Sequence, residues 1–255
     1  MNIFITGGTG GIGSELARRY AKLGHRVGVC GGTQKNFEEV FGDLCERIEF
    51  WELDVTNREN TKEVLHNFSA KGNIDLLICC AGINNNKPHT DVNIDFDREV
   101  QILNVNLMGT FYALEGAIDV MKNQKHGHLV LLSSAAGLKG LPGAPAYCAS
   151  KAALIALGES LGMRLKSYKI AVSVFAPGYI NTPLARATVP NIEKKASTLS
   201  VEEAAEIMMK AIDKKVPFLI FPRSLAATSF LMKLIPNVFF NKFISYLYHR
   251  QLKHD

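Results

Sequence analysis

The stretch Thr6-Gly7-Gly8-Thr9-Gly10-Gly11-Ile12-Gly13 constrains the fold of this chain more than any other. It follows an apolar run, Asn2–Thr6, and leads into a helical pattern over 14–23 that stops at Gly24, so it joins a buried strand to a helix. A glycine-dense turn there lets backbone approach a phosphate closely. The first N–H groups of the helix add positive partial charge. Counted from Gly8, the spacing is Gly-x-Gly-x-x-Gly, which predicts a bound dinucleotide once a strand precedes it and a helix follows. Further apolar runs at Arg26–Cys30, 48–53, 74–80, 129–132, 170–176 and 217–221 alternate with helical stretches, which favours one α/β domain over 1–255.

With 255 residues and 47% hydrophobic content the chain can bury a large core, and it shows no linker, repeat or low-complexity block. The net charge of +5 is spread along the sequence with no basic cluster interleaved with aromatics, which argues against nucleic acid as a partner. Cys30, Cys45, Cys79, Cys80 and Cys148 lack metal-ligand spacing, so no metal is expected and the thiols read as reduced, structural and cytosolic. The first strand begins at Asn2, leaving no room for a signal peptide, and no long uncharged apolar span is present.

The chemistry points to 127–151. The run 129–132 ends at Ser133 and Ser134, at the carboxyl end of an expected strand, where open α/β sheets place their ligands. Gly137, Gly140, Pro142, Gly143 and Pro145 then exclude a regular element, and a helix is expected from Tyr147 to about residue 168. Tyr147 and Lys151 fall one turn apart on one face, so the ammonium is expected to favour the phenolate and make the tyrosine usable as an acid or base. Alone, such a pair is common by chance. With Ser134 thirteen residues before Tyr147, the arrangement resembles the short-chain dehydrogenase/reductase family, and the resemblance runs along nearly the whole chain.

Thr6-Gly7-x-x-x-Gly11-x-Gly13 also matches that family's glycine motif, and the resemblance makes Thr6, Gly7, Thr9, Gly11, Ile12 and Gly13 cofactor contacts. It implies a Rossmann-type, doubly wound parallel sheet of about seven strands in the order 3-2-1-4-5-6-7, with helices on both faces. The second strand ends without the acid that binds a ribose 2′-hydroxyl, and runs into Gly31-Gly32-Thr33-Gln34-Lys35. Thr33 and Lys35 could reach a 2′-phosphate, so the sequence leans to NADP, with NAD as the second option; Lys35 reads equally well as a solvated residue in the next helix. Asp54 and Val55 match the position that contacts adenine, while Asp54 or Thr56 could instead cap the following helix.

Cys79-Cys80-Ala81-Gly82 stands where the family usually has Asn-Asn-Ala-Gly, so Ala81 and Gly82 are expected beside the cofactor with altered hydrogen bonding around Cys80. Within a helix expected over 96–121, Asn106 matches the family asparagine whose backbone holds a water linking the catalytic lysine to solvent; otherwise it steadies a helix kink. Pro177, Gly178, Ile180 and Thr182 match the segment that holds the nicotinamide carboxamide, although Pro and Gly are also ordinary turn formers.

The resemblance implies hydride transfer between a nicotinamide cofactor and a carbonyl or alcohol. Ser134 would bind the reacting oxygen, Tyr147 exchange its proton, Lys151 lower the tyrosine pKa and hold the nicotinamide ribose, and Asn106 complete the proton path. The alternatives are a catalytically silent nucleotide-sensing or scaffold protein, which usually lacks the tyrosine or lysine, and a sugar-nucleotide epimerase, which normally needs a longer substrate domain. The family implies a homodimer or homotetramer packed through helices near Asn106 and Tyr147. The segment 183–199, with Leu184, Ala187 and Val189, is expected to be a lid over an apolar small-molecule substrate, or else an ordinary surface loop. The stretch 223–252 carries apolar residues at helical spacing, interrupted by Pro236-Asn237. It reads as two amphipathic helices that shape the substrate entrance, pack on the protein, or make weak peripheral membrane contact from the cytoplasm.

Overall fold

The computed structural model describes residues 1–85, 94–195, 197–222, 224–225, 238 and 242. Five short apolar segments form the first strands of a parallel sheet: β1 (Asn2–Thr6), β2 (Arg26–Cys30), β3 (Ile48–Trp51), β4 (Leu76–Cys79) and β5 (Gly127–Leu132). The sheet is completed by β6 (Ile170–Pro177) and β7 (Phe218–Phe221), and the seven strands lie in the order β3-β2-β1-β4-β5-β6-β7. All pairings are parallel, and the register sets Thr6 between Cys30 and Cys79. This is the expected doubly wound, Rossmann-type fold. The connections are α1 (Gly11–Lys22), α2 (Gln34–Phe41), α3 (Arg58–Ala70), α4 (Phe96–Leu103), α5 (Gly109–Gln124), α6 (Pro145–Arg164), α7 (Pro183–Arg186) and α8 (Val201–Asp213).

Two hydrophobic clusters cover the two faces of the sheet, because strands buried on both sides must be apolar at every position. Ile3, Ile5 and Ile78 pack towards α1 and α8 residues such as Leu16 and Met208 on one side. Phe4, Leu77 and Leu131 meet Leu65 of α3, Ala117 of α5 and Leu154 of α6 on the other. The five cysteines are free.

Several boundaries differ from the sequence expectation. The third strand stops at Trp51 rather than at 53. The helix of the tyrosine starts at Pro145, because proline is favoured at the first helical position, where no N–H is required. The helix expected over 96–121 is interrupted by a π-turn at Asn104–Met108 and continues to Gln124. Helix α3 is capped neither by Asp54 nor by Thr56: Asn57 accepts from the Asn60 N–H at 3.1 Å, while Asp54 takes the N–H and hydroxyl of Thr56 at 2.9 and 2.8 Å. Among the described residues no helix is long and apolar enough to cross a membrane. The two amphipathic helices expected over 223–252 lie outside the described residues, apart from Ser224, Leu225, Val238 and Lys242.

Candidate active site

The expected site residues converge along the carboxyl edge of the sheet. Gly7 turns the chain out of β1 with φ at +64°, and a Cβ there would stand 2.7 Å from the Ala81 backbone, so only glycine lets the first and fourth strand ends lie this close. Thr6, buried beneath the turn, accepts from the Ala81 N–H at its hydroxyl (3.3 Å) and from the Cys80 N–H at its carbonyl (3.1 Å). These bonds hold the segment after β4 without the asparagine that Cys80 replaces. Helix α1 opens at Gly10 with no side-chain cap and no acid in its first turn, which leaves its N-terminal N–H groups and positive partial charge for an anion. Gly13 is buried against the Gly7 carbonyl, and Ile12 packs on the core below. The Thr182 methyl comes within 2.8 Å of the place a Gly11 Cβ would occupy, which joins the glycine turn to the segment after β6. This glycine-lined cradle of backbone, uncapped at the helix start, fits a dinucleotide pyrophosphate.

At the next strand end, the Thr9 hydroxyl lies 3.2 Å from the Cβ position of Gly32. Thr33 caps α2 by accepting from the Asn36 N–H at 3.2 Å, and the exposed Lys35 reaches Glu39 at 3.9 Å. Glu52 accepts from the Gln34 N–H at 3.4 Å. Val55 packs against Gly109, directly after the π-turn. On the far side, the Gly178 N–H donates to Phe221 at 2.8 Å, Ile180 pairs with Leu199, and Thr182 caps α7 by accepting from the Ala185 N–H at 3.2 Å. Pro177 is the last residue of β6.

In the centre, Asn106 is fully buried in the π-turn. Its side-chain oxygen accepts from the Ile83 N–H at 2.7 Å, and its amide donates to the Ile83 carbonyl at 3.0 Å and to the Ser150 hydroxyl at 3.2 Å. Its backbone carbonyl, the expected water anchor, accepts from the Thr110 hydroxyl at 2.8 Å. The side-chain bonds tie the π-turn to Ile83 and to Ser150. Lys151 and Asn106 both border Gly82, with Nζ at 3.5 Å and Oδ1 at 3.3 Å from its Cβ position.

Ser133 and Ser134 follow β5 with divided tasks. Ser133 is buried and donates to the Lys151 carbonyl at 2.7 Å, fixing α6 to the strand end. The Ser134 hydroxyl accepts from the Ala136 N–H at 3.2 Å and hydrogen-bonds the Tyr147 side chain. Lys151 lies with Nζ 5.5 Å from the centre of the Tyr147 ring and donates to the Leu132 carbonyl at 2.8 Å. The expected lowering of the tyrosine pKa is not what this arrangement gives. Burial pushes the Tyr147 phenol up, against a downward pull from the Ser134 hydrogen bond. Burial also brings Lys151 down to about 8, opposed by the Cys80 and Cys79 thiols. The ammonium is held by a backbone carbonyl, and the phenol feels its loss of solvent first.

Glu99 and Ser150 are not singled out by the sequence, and Ser133 is placed at the strand end without a role of its own. Glu99 had a signal: it lies seven residues before Asn106, on the same face of a helical stretch that also carries Ile102.

A parallel sheet with a glycine cradle at its first strand end and a Ser–Tyr–Lys cluster at its centre defines a nucleotide-dependent dehydrogenase or reductase. This chain belongs to the short chain dehydrogenase family, whose sequence profile matches residues 1–193. It is 32% identical over 216 residues to the 3-oxoacyl-[acyl-carrier-protein] reductase FabG of Rickettsia bellii, covering 84% of this chain and 87% of that protein. An uncharacterized oxidoreductase of Myxococcus xanthus is 30% identical over 241 residues, 93% of each. Among solved structures, a serine dehydrogenase complexed with NADP+ shares the fold at a TM-score of 0.78 and 24% identity, covering 87% of this chain and 94% of that one. ElxO with NADP bound does so at 0.75 and 24%, covering 86% and 96%.

Proposed function

We propose that this protein is an NADP-dependent reductase of an apolar carbonyl compound, of the 3-oxoacyl thioester type, working also in reverse on the alcohol. The observation that carries the reading is the cluster itself: Ser134 bonded to Tyr147, with Lys151 over the same ring and Asn106 behind it. The glycine turn and the α1 N-terminus would hold the cofactor, which when bound supplies or accepts a hydride. Ala81, Gly82 and the segment from Pro177 to Thr182 border the space where its nicotinamide end would lie. Ser134 donates a hydrogen bond to the reacting oxygen, and Tyr147 gives that oxygen its proton. The phenol is the proton donor in the reductive direction, and the Ser134 hydrogen bond opposes the burial that raises its pKa. The Lys151 charge, 5.5 Å from the ring centre, stabilises the phenolate that remains.

NADP is favoured over NAD because β2 is followed by Gly31-Gly32 with no acid for a 2′-hydroxyl, and ElxO and the serine dehydrogenase of the same fold are NADP complexes. Thr33 and Lys35 are the proposed 2′-phosphate partners; Glu52, which follows β3 and accepts from the Gln34 N–H, works against them. The apolar substrate is supported by exposed Leu141, Tyr179 and Leu184, carried on three different segments, and by the similarity to 3-oxoacyl reductases. In the proposed lid 183–199, Thr188, Val189 and Ile192 are buried inside the segment, whereas Leu184 and Ala187 face outward. The stretch 223–252 is proposed to close the substrate entrance, with weak contact to a membrane surface as its second role. A homodimer or homotetramer is supported by Phe96, 73% exposed, with Val100 and Phe111 nearby in sequence on the same helical region. A panel of ketones, 3-oxoacyl thioesters, steroids and sugars with NADPH, read at the reduced-nicotinamide absorbance, tests the reading: thioester turnover is expected, and turnover of sugars alone would overturn it.

A further inference from the structure

Among the described residues, Glu99 is the only carboxylate that is buried, with 8% exposure, and the proton chemistry above does not use it. One of its oxygens, Oε2, accepts from the Ala146 N–H at 2.7 Å, and the other, Oε1, accepts from the Asn85 side-chain amide at 3.0 Å. Ala146 is the residue before Tyr147. Helix α6 has no side-chain cap of its own, since Ala144 occupies the cap position and Pro145 lacks an N–H. A carboxylate from α4 therefore completes its first turn. Charge-assisted bonds of this kind are the shorter and stronger ones, and negative charge at a helix N-terminus is favourable. Burying a carboxylate is costly unless donors meet it, and here two do. A second tether runs parallel: Asn106 donates to Ser150, which in turn donates to the Tyr147 carbonyl at 2.8 Å.

We propose that Glu99 is a positioning residue: its carboxylate locks the start of α6 to the segment 83–85, so that Tyr147 stands in register with the Gly82–Ile83 backbone beside Lys151. The kinetic part of this proposal rests on the reductase reading, whereas the tether does not. Replacing Glu99 by alanine leaves the Ala146 N–H and the Asn85 amide without their acceptor. Displacing a catalytic group by about 1 Å costs up to roughly a hundredfold in rate. Glutamine keeps one oxygen for Ala146, and an Asn85 side chain turned over presents its own oxygen to the new amide, so both contacts survive.

The test combines hydrogen exchange over 144–150 with NADPH affinity and steady-state kinetics on an acetoacetyl thioester, for the wild type, Glu99→Ala, Glu99→Gln and Asn85→Ala. Glu99→Ala is expected to speed exchange in the first turn of α6 and to lower kcat by roughly ten- to a hundredfold, with NADPH affinity within about twofold of wild type. Glu99→Gln is expected to restore slow exchange and most of kcat, and Asn85→Ala to fall between. Unchanged exchange in Glu99→Ala would overturn the proposal, as would a kcat loss matched by NADPH affinity that glutamine does not rescue. If Glu99→Ala does not fold, the remaining two variants decide: glutamine near wild type with Asn85→Ala impaired supports the tether, and any other pattern sinks it. A wild type inactive on every carbonyl would defeat the reductase reading and leave exchange alone to judge the tether.

Discussion

Tyr147 and Lys151 share a face of α6 as their spacing requires, yet burial sets their protonation more than their mutual charge does. Their identities and Ser134 are legible in the sequence, because one turn of helix and one strand end fix their positions. The direction of the tyrosine shift is not, because desolvation comes from segments distant in the chain. With Lys151 near a pKa of about 8, its charge is lost as pH rises through that value. Reductive kcat should therefore decline above about pH 8, and this alkaline limb should vanish from the much lower residual rate of Lys151→Met; a pH profile of initial rates checks both. Lysine also affects stability with a definite sign. Between about 8 and its ordinary value the unfolded chain binds the proton that the folded chain has released, so this group's contribution rises with pH in that window. Asn106 makes three buried side-chain bonds. Asn106→Ala leaves the Ile83 N–H and carbonyl unpaired and should cost about 2–4 kcal/mol, measured by urea unfolding.

At the scale of elements, local signals were readable where a few adjacent residues decide the outcome. The Ser200–Glu203 capping box at the start of α8 is visible as a Ser-x-x-Glu pattern and forms with both reciprocal bonds, at 3.1 and 2.8 Å. Ser200→Ala should lower stability by about 1 kcal/mol, seen as a shift in the urea midpoint with an unchanged slope. The π-turn in the helix around Asn106 is not readable in the sequence, since the residues from Phe96 to Met108 are compatible with an unbroken helix and the Asn106 side chain is paired through Ile83 and Ser150, on other segments. Asn57 outcompeted Asp54 and Thr56 as a cap because those two satisfy one another. Gly7 joins two elements in a conformation that disfavours any side chain. Gly7→Ala should weaken NADPH binding by at least about tenfold, as titration of nucleotide fluorescence would show.

For the whole molecule, the alternation of apolar runs with helical stretches makes a parallel α/β sheet legible, because parallel strands demand crossovers, whereas the strand order comes from the family resemblance. How helices α4 and α6 are tied together was hidden, since Glu99 and Ala146 meet only in the folded chain. If the proposed self-association runs through the exposed Phe96 and Phe111, a Phe96→Asp, Phe111→Asp double variant should shift the protein towards the monomer in sedimentation. The central claim is that a buried phenol at the carboxyl edge of this sheet supplies the proton in carbonyl reduction. The most direct measurement is NADPH oxidation by Tyr147→Phe with a 3-oxoacyl thioester, alongside NADPH affinity. Turnover lower by roughly 10²- to 10⁴-fold with cofactor affinity retained is the expected result; turnover at the wild-type rate would contradict it.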